Sequence, residues 1–160
     1  QAEKNYSIES VTAAGDPAQY KVSVFGRDKS VIYETTLYGE PEFTTLEKGI
    51  LRMKTGAGNV TQYRFFDTVQ NRVSPTYENP ELVQDGKIVY MTLNERKLRL
   101  VVRDIFDETV FYRTYDRDFS KTAVPADVLT SAAFIGESTL KVTYLSGENF
   151  EMVEETLRLQ

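Results

Sequence analysis

The chain has 160 residues, 41% apolar and 27% charged, with ten Tyr, nine Phe and no Trp, the balance of a folded domain large enough for a hydrophobic core. Its net charge is −5 and its pI about 4.9; Lys and Arg are scattered, the longest cluster being Arg96-Lys97 with Arg99 nearby, so the basic stripe of a nucleic-acid binder is not there. The lack of any His or Cys excludes Ser-His-Asp and Cys-His catalysis, His-ligated zinc, thiolate metal sites and disulfides.

Apolar and polar residues alternate from the start, and helical periodicity is nearly missing. Tyr20-Lys21-Val22-Ser23-Val24 alternates, Gly26-Arg27-Asp28-Lys29 supplies a turn, and Val31 to Leu37 returns, which predicts a β-hairpin. Thr61 to Phe66 runs into the turn Asp67 to Asn71 and on to Arg72-Val73. Leu98 to Arg103 runs into Asp104-Ile105-Phe106-Asp107-Glu108 and on through Thr109 to Tyr115. Leu140 to Leu145 meets Ser146-Gly147-Glu148-Asn149 and returns from Phe150 to Leu159.

Laid over one another from Tyr20, Thr61, Leu98 and Leu140, with starts 41, 37 and 42 residues apart, the four hairpins align without a gap for thirteen columns. Column three reads Val22, Tyr63, Leu100, Val142, and column five reads Val24, Phe65, Val102, Tyr144. A short apolar segment precedes each hairpin: Tyr6 to Val11, Ile50 to Met53, Ile88 to Met91, and Leu129 to Ile135. Pro41, Pro80 and Pro125 fall between repeats, where no ladder hydrogen bond is lost; the Pro-Ala-Asp-Val-Leu string at Pro125 is also compatible with a short helical turn.

These features predict an all-β chain of four degenerate repeats of about 40 residues, the period of a propeller blade. The expected fold is a small four-bladed propeller-like array, with an antiparallel barrel or sandwich as the alternative. The expected organisation is a single domain over 1–160, with repeats near 5–40, 41–79, 80–122 and 123–160. No apolar run exceeds four or five residues, as in Ala132-Ala133-Phe134-Ile135, too short to span a bilayer.

Arg72-Val73-Ser74-Pro75-Thr76-Tyr77-Glu78-Asn79-Pro80, Lys87-Ile88-Val89-Tyr90-Met91 and Leu100-Val101-Val102-Arg103-Asp104-Ile105-Phe106-Asp107 resemble segments of uncharacterised secreted or surface-anchored proteins of Gram-positive gut bacteria. The resemblance covers the central half of the chain and implies a place outside the membrane; it implies no activity and no site residues. Gln1 in first position fits the loss of a preceding segment, such as a signal peptide, a lipoprotein anchor, another domain or a tag. The expected location is extracellular or in the cell envelope.

Two chemistries need only oxygen ligands or carboxylates. Glycoside hydrolysis uses a pair of acids, for which Asp104, Asp107 and Glu108, with Asp116 and Asp118 further on, are candidates. A calcium site would draw on Asp104, Asp107 and Glu108, although their spacing is not that of an EF-hand loop. Both readings compete with a simpler one, since Asp is favoured in turns for its bonds to nearby backbone. Gly56, Gly58 and Asn59 form the one glycine cluster, which reads as a hairpin turn or, less simply, a phosphate nest. No cofactor is expected. The leading expectation is a non-catalytic module binding a protein, peptide or glycan. The alternatives are a β-barrel carrier of a small molecule, a carboxylate-dependent hydrolase, and a structural spacer of a larger surface protein.

Overall fold

A computed structural model describes residues 4–160 and turns the alternating segments into strands. The chain divides into two compact units, the first ending at Glu78 and the second beginning at Asn79.

In the first unit, β1 (Tyr6–Ser10), β2 (Tyr20–Phe25) and β3 (Val31–Leu37) form one sheet, and β4 (Glu42–Thr45), β5 (Ile50–Ala57), β6 (Val60–Asp67) and β7 (Arg72–Glu78) form another. In the second unit, β8 (Leu82–Gln84), β9 (Lys87–Asn94), β10 (Lys97–Asp104) and β11 (Tyr112–Tyr115) form the third sheet, and β12 (Leu129–Ile135), β13 (Thr139–Ser146) and β14 (Glu151–Arg158) the fourth. All four are antiparallel meanders, and none closes on itself. The four aligned hairpins are β2–β3, β6–β7, β10–β11 and β13–β14, and the apolar segments ahead of them are β1, β5, β9 and β12. Beyond Pro41 and Pro80 the second and third sheets each gain a short outer strand. Pro125 instead opens a 3₁₀ turn, Pro125–Val128, as its fixed φ and missing donor suit the first position of a helical turn. Among the described residues no helix is long and apolar enough to cross a membrane.

The core of the first unit joins Val22 and Val24 of β2 to Leu51 and Met53 of β5 and Phe66 of β6. Its two hairpin tips share one end: the Arg27 N–H donates to the Thr68 carbonyl at 2.7 Å. At the edge, the Tyr6 and Phe43 rings stack with centroids 4.1 Å apart.

In the second unit Val89, Met91, Leu98, Leu100 and Val102 face Leu129, Leu140, Val142, Tyr144 and Leu157. Phe119, from the β11–β12 connection, packs edge-on against Tyr144 at 5.0 Å. The two hairpins of this unit run in opposite senses. Phe119 forms a bridge with Ser146 at the far end of β13, while the β12–β13 turn at Gly136 shares a cleft with Asp85 and Lys87 of the β8–β9 turn. The β13–β14 tip therefore lies at the end of the unit opposite the β10–β11 tip.

Leu140 is fully buried and Met152 largely exposed. Leu140→Ala should lower the unfolding free energy by about 2–5 kcal/mol, whereas Met152→Ala should stay within about 0.5 kcal/mol; urea unfolding followed by far-ultraviolet circular dichroism distinguishes the two.

Candidate anion-binding cleft

Asp104 ends β10, and its Oδ1 accepts the N–H groups of Phe106 and Asp107, both at 2.9 Å. Asp67, six residues into its own aligned hairpin as Asp104 is into its own, accepts the N–H groups of Val69 and Gln70 at 3.0 Å. The repeated geometry makes Asp104 a turn-forming residue, as the preference of Asp for such local bonds predicts. Asp107 closes the next turn by accepting the Thr109 N–H at 2.9 Å and its hydroxyl at 2.6 Å. Glu108 reaches back to Arg103 at 3.6 Å. Among the described residues no three acidic side chains converge as metal ligands. Gly56, Gly58 and Asn59 belong to the other unit, where Ala57 pairs with Val60 across a two-residue loop. Gly58, at φ 63, takes the first central position of a type II′ turn, which glycine favours.

The structure draws attention to a different place. The inward stripe of β9 reads Val89, Met91, Leu93, and its exposure rises along the strand from 0% through 5% to 58%. Leu98, the cross-strand partner of Leu93, stays buried. The β9–β10 hairpin thus carries its apolar face past the end of its cover. Around this uncovered end lies a cleft of about 440 Å³, lined by Leu93, Leu98, Phe119, Ala123 and Pro125 and by four cations, Arg96, Lys97, Arg117 and Lys121. Asp118 is the one acid on its wall.

Each cation is presented by a specific local feature. Arg96 sits with Glu95 in the two-residue loop closed by the Asn94–Lys97 pair. Both residues have positive φ, 50 for Glu95 and 66 for Arg96, the type I′ geometry that Asn-Gly would take without strain. Two non-glycine residues held there cost of order 1 kcal/mol each. Residues 118–120 add to the end of β13: the Gly147 N–H donates to the Asp118 carbonyl at 3.0 Å, and the Ser120 N–H to the Leu145 carbonyl at 2.9 Å. That short ribbon places Arg117 and Lys121 at its two ends.

Arg117 is anchored from behind. Its Nη2 contacts Glu155 Oε2 at 2.8 Å, and its Nε lies 3.0 Å from both Glu155 oxygens. Tyr144 donates its hydroxyl to Glu155 Oε1 at 2.8 Å. Hydrogen bonding to Arg117 holds the Glu155 carboxyl below its usual range, and the same bond raises Arg117. Burial first, then its bond to Glu155, pushes the Tyr144 hydroxyl up to about 12. Lys97 pairs loosely with Asp116 at 3.6 Å, and Asp116 is held more closely by Arg99 at 2.8 Å. Arg99 and then Lys97 lower the Asp116 carboxyl despite some desolvation. Arg96 and Lys121 have no ion-pair partner among the described residues.

Asp116 and Asp118 therefore serve as a charge partner and a wall of this cleft rather than pairing with Asp104. The sequence carried one sign of the site, the Arg96-Lys97 cluster. Arg117 and Lys121 lie twenty or more residues further along the chain; the β10–β11 pairing of Leu100 with Tyr115 brings Arg117 back beside it, and the bridge to β13 brings Lys121. A wider cleft of about 670 Å³ in the same unit holds Lys87 against Asp85 and Glu137. Its Phe111 ring already carries Lys87 at 5.3 Å and Arg113 at 4.7 Å, and two acids outnumber the one lysine on its lining, so it offers neither an excess of cations nor a free ring.

No family model, curated protein or solved structure matches the chain.

Because the folded-state value of Glu155 is depressed, its stabilising effect is complete above the ordinary glutamate value of 4.5 and is lost as the pH falls through the lowered value. Glu155→Gln should cost about 1 kcal/mol at neutral pH and flatten the acid side of the stability curve, as read from urea midpoints between about pH 7 and pH 3.

Proposed function

We propose that the chain is a non-catalytic binding module whose second unit captures an anionic partner, a protein, peptide or glycan, in the cleft at the β9–β10 tip. The observation that carries this reading is the gathering of four of the 19 basic residues around one uncovered patch of core, in a chain of net charge −5. Cations collected against the overall charge focus the local field and favour an oppositely charged ligand. An apolar floor with a charged rim has the anatomy of a recognition site. The volume of about 440 Å³ falls within the range of about 300–1,000 Å³ typical of ligand pockets.

Binding is favoured over carboxylate catalysis by the local bonds of Asp104 and Asp107, each occupied in shaping a turn. The module is proposed to act outside the membrane, in the extracellular space or cell envelope, on the strength of the sequence resemblance. The propeller-like array belongs to the same proposal. The shared meander order supports it, while the unequal sheets, of three or four strands, and the opposed hairpins of the second unit weigh against strict rotational symmetry among the sheets.

Titration of the ¹⁵N-labelled chain with poly-L-glutamate, polygalacturonate and inorganic phosphate tests the reading. The expected result is saturable amide shifts with at least one polyanion, confined to residues 93–98 and 117–125 and weakening as salt is added. Failure of all three probes to give a saturable shift there would refute it.

A further inference from the structure

The ligand class at this cleft can be narrowed, on the premise that the cleft binds anions. We infer that its natural occupant is an acidic peptide segment carrying an aliphatic side chain.

The inference begins with what the floor offers. Leu93 is 58% exposed and sits on the inward stripe of β9, beside Leu98. Water is excluded from this stripe everywhere else along the strand, so its open end lacks only an apolar group to complete it. Phe119 is the one ring on the lining and is only 8% exposed. A nucleobase needs an exposed ring face to stack on, and a sugar ring commonly uses one too. An aliphatic side chain needs only the saturated carbon surface that Leu93 and Pro125 provide.

The rim supplies the second requirement. Lys97 and Arg117 are already engaged by Asp116 and Glu155, which leaves Arg96 and Lys121, set against the single wall acid Asp118, to meet the charge of a ligand. They stand on two separate pieces of chain, the strained hairpin tip and the ribbon beside β13. An arginine fork and a lysine ammonium both donate hydrogen bonds to carboxylates, the first bidentately. Two cations on separate pieces of chain, sharing one lining with aliphatic surface, match acidic residues flanking an aliphatic one. A lone small anion would use the charges and leave the apolar floor wet.

The strain at Glu95 and Arg96 fits the same picture. A tip with both central residues left-handed is held in one geometry by the pairing on either side. Arg96 therefore starts from a fixed base, and less ordering cost falls on the complex when it binds.

The test compares two fluorescein-labelled peptides, Asp-Glu-Leu-Glu-Asp and Asp-Glu-Ser-Glu-Asp, by fluorescence anisotropy against the whole chain. The leucine peptide should bind saturably and at least about fivefold more tightly than the serine one. Arg96→Glu with Lys121→Glu should weaken it about tenfold or more, and the milder Lys121→Gln should give a smaller loss in the same direction. Leu93→Ser should erase the preference for leucine while leaving the serine peptide unchanged. These residues are exposed, and thermal melts matching the parent chain confirm that the variants are folded. Equal affinity for the two peptides, or indifference to the charge reversals, would overturn the inference. So would tighter binding of polygalacturonate or of a single-stranded oligothymidylate, and in those cases anion binding would survive. Silence from every anion would remove both readings together.

Discussion

The second unit depends on one apolar contact: the inward stripe of β9 and β10 laid against that of β13. Val89, Met91, Leu100 and Val102 meet Leu140, Val142 and Tyr144 there, and nearly all are at or close to zero exposure. Burial of this kind is the main favourable term in folding, and it is roughly proportional to the area removed from water. It also fixes register, because a slip of one residue would turn every one of these side chains to the other face. The position of Leu93 follows from that register. Once Met91 and Leu100 are seated, Leu93 must point inward at the hairpin tip, and there the cover ends.

The charged part of the site depends on the same contact at one remove. Phe119 is drawn into the core against Tyr144, and the backbone on either side of it bonds to the end of β13. Lys121 is carried to the cleft by that insertion, while Arg117 follows β11, whose Tyr115 pairs with Leu100 of β10. The network of Arg117, Glu155 and Tyr144 then ties the ribbon to β14 through charge-assisted bonds. Apolar packing places the ribbon, and the ion pair sets the direction of one guanidinium.

The strands and turns were legible in the sequence because period two and turn chemistry are local signals. The four aligned hairpins became four meander sheets, and the proline-led linkers became short outer strands or a 3₁₀ turn. The sense in which paired sheets run was not legible. In the first unit the hairpin tips touch through Arg27 and Thr68, while in the second they lie at opposite ends, and nothing in the alternation distinguishes these arrangements. Alternation also fails where neighbours are buried together, as at Phe65-Phe66 and Leu100-Val101-Val102, because a strand covered on both faces has no polar side. The acidic run at Asp104 drew notice as a cluster of ligand types, yet its bonds are those of a turn. The predicted β10–β11 hairpin already returns Arg117 beside Arg96-Lys97, but Lys121 and the uncovered end of the apolar stripe depend on the bridge to β13, which no local signal announces. Arg96-Lys97 alone reads as an ordinary charged hairpin tip.

Residue-resolved amide hydrogen exchange of the native chain, with and without poly-L-glutamate, tests the central claim most directly. An apolar stripe that ends uncovered at a cationic tip predicts strong protection for the amides paired along Val89–Met91 and Leu100–Val102. It predicts fast exchange at the unpaired loop residues Glu95 and Arg96, slowed when the polyanion is present. Protection at the free tip equal to that of the core, or exchange there that the polyanion leaves unchanged, would contradict the account.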